Sequence, residues 1–172
     1  MAVSGPADTV DTPQVSSEEW RDAMGQFPSG VTVVTSWDGE DAVGSTVSSF
    51  CSVALEPPLL LVCINKENPL SAPVAKAGVF GVHILAETGG DLAMRFATAP
   101  DEERFEDLDY GGLEGGAPHI AGAPVFIDCI VENRHAAGTH DIIIGRGVRI
   151  LKGDEASPLV YYRGGFIKAA AS

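Results

Sequence analysis

The chain alternates short apolar runs with turn residues, and this pattern predicts a fold made mainly of β-strands. Runs rich in Val, Ile, Leu and Thr are bounded by Gly, Pro, Asp and Asn, as is typical of strands and their turns. Run 59–65 is almost wholly apolar, which predicts a central strand buried on both faces. Run 139–151 has Ile142, Ile144, Val148 and Ile150 in period two, while Gly145 and Gly147 indicate a bend or bulge. The predicted strands are 31–37, 42–49 continued by 50–55, 59–65, 79–85, 123–133, 139–151 and 159–162.

Short helices are predicted between some of these strands. Ser16 and Glu19 match a capping box, so a helix should follow over 17–25. Its inner face is predicted to hold Trp20, Ala23 and Met24. Further helical turns are predicted over 71–76, with Gly78 as the C-cap, over 87–97 and over 101–105. The glycine-rich stretch 110–118 is expected to be a surface loop. Together these elements predict an antiparallel barrel with helical insertions.

The length of 172 residues fits one domain with a sizeable core. Residues 1–15 are polar and are predicted to be a disordered tail, and 16–172 are predicted to be a single domain. The start of the chain lacks a basic region followed by an apolar core, so no secretory signal is expected. No apolar run reaches the length needed to cross a bilayer.

Charge and cysteine usage narrow the partners and the compartment. The net charge of -13 argues against nucleic acid and against anionic membrane surfaces, both of which need clustered Lys and Arg. Cys51, Cys63 and Cys129 form no C-x-x-C motif, so we expect buried free thiols. Free thiols fit a reducing cytoplasm.

Several familiar site motifs are absent from the sequence. It contains no G-x-G-x-x-G after a strand, no Walker A sequence and no G-x-S-x-G elbow. His135 and His140 are five residues apart, so they do not face one way on a regular strand. We predict no metal site.

Two polar segments are candidates for binding a cofactor. Residues 44–50 carry hydroxyls at Ser45, Thr46, Ser48 and Ser49, which could serve the polar edge of a planar cofactor because buried polar groups need partners. The alternative is a strand ending in a polar turn. Residues 63–66 with Ser71 are a candidate phosphate pocket; the alternative is a strand end with solvated polar side chains.

Two further positions have a functional and a structural interpretation. Arg95 and Phe96 follow one another in a predicted helix, where Arg95 could clamp a phosphate and Phe96 could border a ring system. The alternative for Arg95 is a surface ion pair. His140 follows a glycine turn and could face a cleft and contact a pyridine dinucleotide; the alternative is a structural histidine.

The order of these segments resembles the short-chain NAD(P)H:flavin oxidoreductases, the reductase components of two-component flavin-dependent monooxygenases. The resemblance extends over roughly residues 18–168. Many members carry an acidic residue directly before the histidine, where this chain has Thr139. The segments that carry the resemblance are 21–24 with 27–35, 44–50 with 52–53, 55 and 57–59, 80–82 with 84–85, 92–93 and 95–97, 138 and 140 with 144–145, and 158–164.

The resemblance implies a split β-barrel of the FMN-binding type, a homodimer, and FMN or FAD near the subunit interface. The residues implied to line the flavin are Ala42, Val43, Gly44, Ser45, Thr46, Ser48 and Ser49. Those implied to hold its ribityl chain and phosphate are Cys63, Ile64, Asn65, Leu70 and Ser71, with Arg95 and Phe96 completing the pocket. Those implied to meet the nicotinamide are His140, as the catalytic residue, and Tyr161, Tyr162, Arg163 and Gly164.

The implied activity is hydride transfer from nicotinamide C4 to flavin N5, with the reduced flavin passing to a partner monooxygenase. No basic cluster for a 2′-phosphate is visible, which favours NADH over NADPH. Two alternatives remain on the same barrel: a flavin- or haem-binding module without turnover, and an oxidase of a phosphorylated vitamin. The second alternative needs basic residues for a substrate phosphate, whereas the Lys and Arg residues number only 11 and form no cluster.

Overall fold

The computed structural model describes residues 14–169, and they form a mainly β fold with three short α-helices. The helices are α1 (Ser17–Gly25), α2 (Ser71–Ala77) and α3 (Gly90–Thr98), with single 3-10 turns at Glu87–Gly89 and Asp101–Glu103. The strands are β1 (Ser29–Gly30), β2 (Thr32–Asp38), β3 (Asp41–Val47), β4 (Phe50–Ala54), β5 (Leu59–Asn65), β6 (Val79–Ile84), β7 (Tyr110–Gly112), β8 (Pro118–Ile120), β9 (Val125–Ala137), β10 (His140–Lys152), β11 (Leu159–Tyr162) and β12 (Gly165–Lys168). The predicted tail 1–15 lies almost wholly outside the described residues.

Seven strands form one antiparallel sheet in the order β3-β2-β6-β9-β10-β5-β4. Strands β3 and β4 are its two edges, yet they follow each other in the chain, with Val47 ending one and Phe50 beginning the other. Three residue steps span at most about 11 Å, so the two edges approach each other there. The sheet therefore curls into a barrel that stays open beyond this junction, and the predicted split-barrel fold class is confirmed.

Two apolar clusters lie on the two sides of β2. Val34 points into the barrel with Val62, Phe80 and Ile143. Val33 points to the other side, where α3 and the start of β11 pack. Adjacent strand residues point to opposite faces, so β2 is buried on both faces.

The prediction that the strand 59–65 is buried on both faces is wrong, although its predicted bounds match those of β5. From residue 59 to residue 64 its side chains alternate between half-buried and buried, and Asn65 is exposed. Leu61 and Cys63, on its less buried face, border a cleft.

Local sequence signals predicted several other elements correctly. The capping box at Ser16 and Glu19 is present and α1 spans the predicted residues. Gly78 caps α2 with φ 69°, and β10 shifts register at Gly145 and after Gly147. The inner face of α1 was predicted wrongly, because none of its residues is buried and Trp20 is 59% exposed.

Other elements begin or end away from their predicted positions. The loop predicted over 110–118 contains the paired strands β7 and the start of β8. Strand β9 continues four residues past its predicted end, to Ala137. The helix predicted from residue 87 begins with a 3-10 turn and becomes α-helical only at Gly90.

Candidate functional site

A cleft of about 1640 Å³ opens on the outer face of β4 and β5. Cys51 lies opposite Leu61 in the β4–β5 ladder, so both side chains share this face with Cys63, two residues beyond Leu61. The other walls are α1 with the chain that follows it to Thr32, the tip of the β9–β10 hairpin, and the β11–β12 hairpin. Trp20, Phe27, Phe50 and Leu61 make the walls largely apolar.

The junction between the two barrel edges forms one side of this cleft. Ser48 and Ser49 join β3 to β4 and are exposed. The Ser49 hydroxyl donates to the Cys63 carbonyl at 2.8 Å, and the Cys63 N–H donates to the Ser49 carbonyl at 3.1 Å. These bonds fix the junction against β5.

His140 reaches the cleft from the tip of the β9–β10 hairpin. Gly138 and Thr139 form its two-residue turn, with Gly138 at φ 58°. Lys66 donates two hydrogen bonds to this turn. Its backbone N–H donates to the Thr139 carbonyl at 3.0 Å, and its Nζ donates to the Gly138 carbonyl at 2.7 Å. His140 is thereby fixed opposite Asn65, at the end of β5.

The β11–β12 hairpin attaches α1 to the barrel and brings a positive charge to the cleft. Arg163 donates from Nε and from a terminal nitrogen to the Gln26 side-chain oxygen at 3.0 and 2.6 Å. Its backbone N–H donates to the Gly25 carbonyl at 3.1 Å. Arg163 and Gly164 both have positive φ, 48° and 82°, as a tight hairpin turn requires.

Part of the predicted site comes together in this cleft, from four separate parts of the chain. The predicted residues that line it are Ser48, Ser49, Cys63, His140, Tyr161, Arg163 and Gly164. No local pattern could have placed these segments side by side, since they meet only through the barrel topology.

The remaining predicted residues lie outside the cleft lining. They are Ala42, Val43, Gly44, Ser45, Thr46, Ile64, Asn65, Leu70, Ser71, Arg95, Phe96 and Tyr162. Ile64 and Leu70 belong to the barrel core and Phe96 is 0% exposed. A Cβ at Gly44 would lie 2.7 Å from the Phe96 ring, so this glycine makes room for Phe96. Cofactor roles for these residues stay predictions.

The polar residues among them have partners within the chain. Ser45 accepts a hydrogen bond from the Asn68 side chain at 3.0 Å, and the Thr46 hydroxyl donates to the Ala93 carbonyl at 2.6 Å. Among residues 14–169 Arg95 has no ion-pair partner, and its guanidinium donates to the backbone carbonyls of Glu103 and Glu106. It thereby stabilises the turns after α3.

Sequence reasoning missed a polar group at the end of the barrel core. Arg134 donates to the Ser71 hydroxyl at 2.9 Å and pairs with Asp141 at 2.5 Å. In the β9–β10 ladder Arg134 lies opposite the fully buried Ile143. Asp141 lies two residues before Ile143 on the same strand, so both charged residues are on the inner face of the barrel. This period-two placement is the signal that could have identified them.

The three thiols differ in environment. Cys51 is exposed, which corrects the expectation that all three are buried, because it lies on the outer face of edge strand β4. Burial raises the pKa of the Cys63 thiol, so it is protonated at neutral pH. Burial, with Asp128 nearby, raises the pKa of Cys129 to about 12.

Within residues 14–169, no group of three or more His, Cys, Asp or Glu side chains is placed to hold a metal ion. The same residues include no helix of the length and apolarity needed to cross a membrane.

Comparisons with known proteins agree with the barrel fold. Residues 24–170 match the family described as flavin reductase like domain. The reductase subunit HsaB of a flavin-dependent monooxygenase from Rhodococcus jostii is 34% identical over 150 residues, covering 87% of this chain and 76% of HsaB. The FMN reductase (NADH) RutF 2 of Methylorubrum extorquens is 40% identical over 135 residues, 78% of each protein.

Among solved structures, the NADH:FAD oxidoreductase SgcE6 of Streptomyces globisporus, in complex with NAD and FAD fragments, superposes with a TM-score of 0.83. It is 31% identical, and the match covers 92% of this chain and 98% of that one. The family match and the identities over most of both chains establish that this chain belongs to the flavin reductase family.

Proposed function

We propose that this protein is a flavin reductase that passes a hydride from NADH to FMN or FAD and supplies reduced flavin to a partner monooxygenase. The observation that carries the proposal is the cleft that joins Ser48, Ser49, Cys63, His140 and Arg163. Its volume of about 1640 Å³ exceeds the range of roughly 300–1,000 Å³ usual for one small ligand. It therefore has room for two ring systems side by side.

The residues of the cleft fit a planar cofactor with polar edges. The apolar side chains of Trp20, Phe27 and Leu61 offer surface for ring faces. Ser48, at the barrel junction, offers a hydroxyl and backbone groups to the polar edge of a flavin. Cys63 is uncharged at neutral pH because burial raises its pKa, so it adds no repulsion toward electron-rich rings.

Binding and orientation are the tasks left to the protein. A bound flavin accepts the hydride that bound NADH donates, so the two cofactors carry the chemistry. The protein's part is to hold the two rings at reacting distance, which in well-oriented systems contributes up to about 7–11 kcal/mol. We assign His140 to the nicotinamide side of the cleft. Arg163, which also lines the cleft, supplies positive charge in a chain of net charge -13. NADH is favoured over NADPH because the similar RutF 2 is named an FMN reductase (NADH).

The partner monooxygenase is proposed from the names of relatives such as HsaB, a monooxygenase reductase subunit. Such a partner requires reduced flavin to leave the cleft. The wide cleft is consistent with flavin that exchanges as a substrate.

We also propose that the protein is a homodimer located in the cytoplasm. Helix α1 and the residues after it expose Trp20 at 59% and Phe27 at 75%, although both line the cleft. A second copy packed on α1 would cover them and narrow the cleft. The free cysteines fit a reducing compartment. Light scattering after gel filtration should give twice the chain mass; a monomer at micromolar concentration would contradict the dimer.

The activity is tested by NADH oxidation with FMN and FAD titrated separately against a control without enzyme. Saturable turnover with either flavin supports the proposal. A yellow protein without turnover above the control would instead identify a binding module.

The placement of His140 is tested by two matched variants on the same hairpin. We expect His140→Ala to raise the KM for NADH more than the flavin Kd. His135→Ala changes an exposed residue of β9 outside the cleft lining, and it should leave both constants unchanged. An unchanged KM in His140→Ala would remove His140 from the nicotinamide site.

A further inference from the structure

We infer that Thr139 is a positioning residue for NADH binding, because its hydroxyl holds the His140 ring in the orientation that presents Nε2 to the nicotinamide. The Thr139 Oγ1 lies 2.9 Å from His140 Nδ1, within hydrogen-bonding distance. Both residues line the cleft. The inference rests on the proposed function, since it requires His140 to meet the nicotinamide.

The backbone around His140 is held independently of Thr139's side chain. Strand β10 pairs with β9 on one side and with β5 on the other, beginning at His140 itself. Lys66 adds hydrogen bonds to the carbonyls of Gly138 and Thr139. The remaining freedom at this position is rotation of the imidazole ring, which is exposed and not packed in the core.

The Thr139 hydroxyl is suited to limiting this rotation. A β-branched side chain has few χ1 rotamers, so its oxygen is itself well placed. A hydroxyl both donates and accepts, so it can hold Nδ1 whichever ring nitrogen carries the proton. Among residues 14–169, the Thr139 hydroxyl is the one side-chain partner of the ring, which leaves Nε2 for a ligand.

The effect is expected in NADH binding and not in flavin binding. Losing one neutral hydrogen bond that orients a binding group should raise the KM for NADH about 2- to 10-fold. The flavin Kd should stay within about 2-fold of its wild-type value, because the hydrogen bond does not touch the barrel junction at Ser48 and Ser49.

The experiment compares Thr139→Val, Thr139→Ser and His140→Ala with a double variant of Thr139→Val in the His140→Ala background. Thr139→Val keeps the β-branch and removes the hydroxyl, whereas Thr139→Ser keeps the hydroxyl. Each variant is assayed for the KM for NADH, kcat and the flavin Kd. Thermal unfolding checks the fold, and Thr139→Ala replaces Thr139→Val if the latter does not fold.

The expected result is a raised KM in Thr139→Val, a KM near wild type in Thr139→Ser, and no further rise when Thr139→Val is added to His140→Ala. Such non-additivity shows that Thr139 acts through His140. The inference is overturned if Thr139→Val has the wild-type KM while His140→Ala does not, or if the two effects add. If His140→Ala also has the wild-type KM, the placement of His140 fails, and the inference fails with it.

Discussion

Lowering the pH should destabilise the fold through one buried histidine, His83 on β6. Its side chain is 0% exposed. Nδ1 lies 3.1 Å from the Val33 carbonyl and must donate to it, while Nε2 accepts from the Ile120 N–H at 2.9 Å. The neutral ring therefore satisfies both partners. In a protonated ring Nε2 would also carry a hydrogen, so its N–H and the Ile120 N–H would be two donors facing each other with no acceptor between them.

The size of the effect follows from the pKa. Burial is the main cause that lowers the pKa of His83 from 6.5 to about 4, and His119 nearby adds to it. In the unfolded chain the His83 side chain is protonated below pH 6.5, whereas in the folded chain it stays neutral down to about pH 4. The free energy of unfolding therefore falls as the pH falls through this window. Between about pH 7.5 and pH 5 the loss amounts to about 2 kcal/mol.

Urea unfolding at these two pH values measures the loss. A decrease of about 2 kcal/mol is a substantial part of the roughly 5–15 kcal/mol typical of a domain. His83→Asn should remove most of the pH dependence in this window, whatever its own stability. His135→Asn, on the exposed part of β9, should retain it. Equal pH dependence in wild type and His83→Asn would refute the reasoning.

Two further predictions concern the cleft thiol and the barrel core. Iodoacetamide should modify the exposed Cys51 first and Cys129 only on unfolding, and bound flavin should slow the modification of Cys51. Mass spectrometry of peptides measures both effects. Modification of Cys51 at the same rate with and without flavin would contradict flavin binding in this cleft. Gly145→Ala should cost about 1–3 kcal/mol, because its Cβ would lie 2.3 Å from the Phe80 ring. The Cβ of Gly147→Ala would lie 3.5 Å from the Ile127 side chain, an ordinary contact, so its unfolding free energy measured in urea should change by less than about 0.5 kcal/mol.

Local signals predicted much of the fold because they act within a few residues. The capping box at Ser16 places the start of α1, Gly78 places the end of α2, and the apolar run Leu59–Asn65 coincides with β5. Each depends on backbone geometry or on the periodicity of its own segment. The order of these segments was also sufficient to identify the family.

Properties that depend on distant packing were not visible in the sequence. Burial of β5 depends on what covers its outer face, and the exposure of Trp20 depends on how α1 attaches through Arg163. Arg134 reaches Ser71 from a strand 63 residues away in the chain. Such contacts arise from the barrel topology, which the linear pattern of β-strands does not specify.

The measurement that tests the account most directly is anaerobic reduction of flavin by NADH, followed by the loss of flavin absorbance in a stopped-flow instrument. Without oxygen, the signal reports hydride transfer alone. The account predicts bleaching whose rate saturates with NADH and far exceeds that of free flavin. Bleaching at the same rate with and without the protein would contradict it.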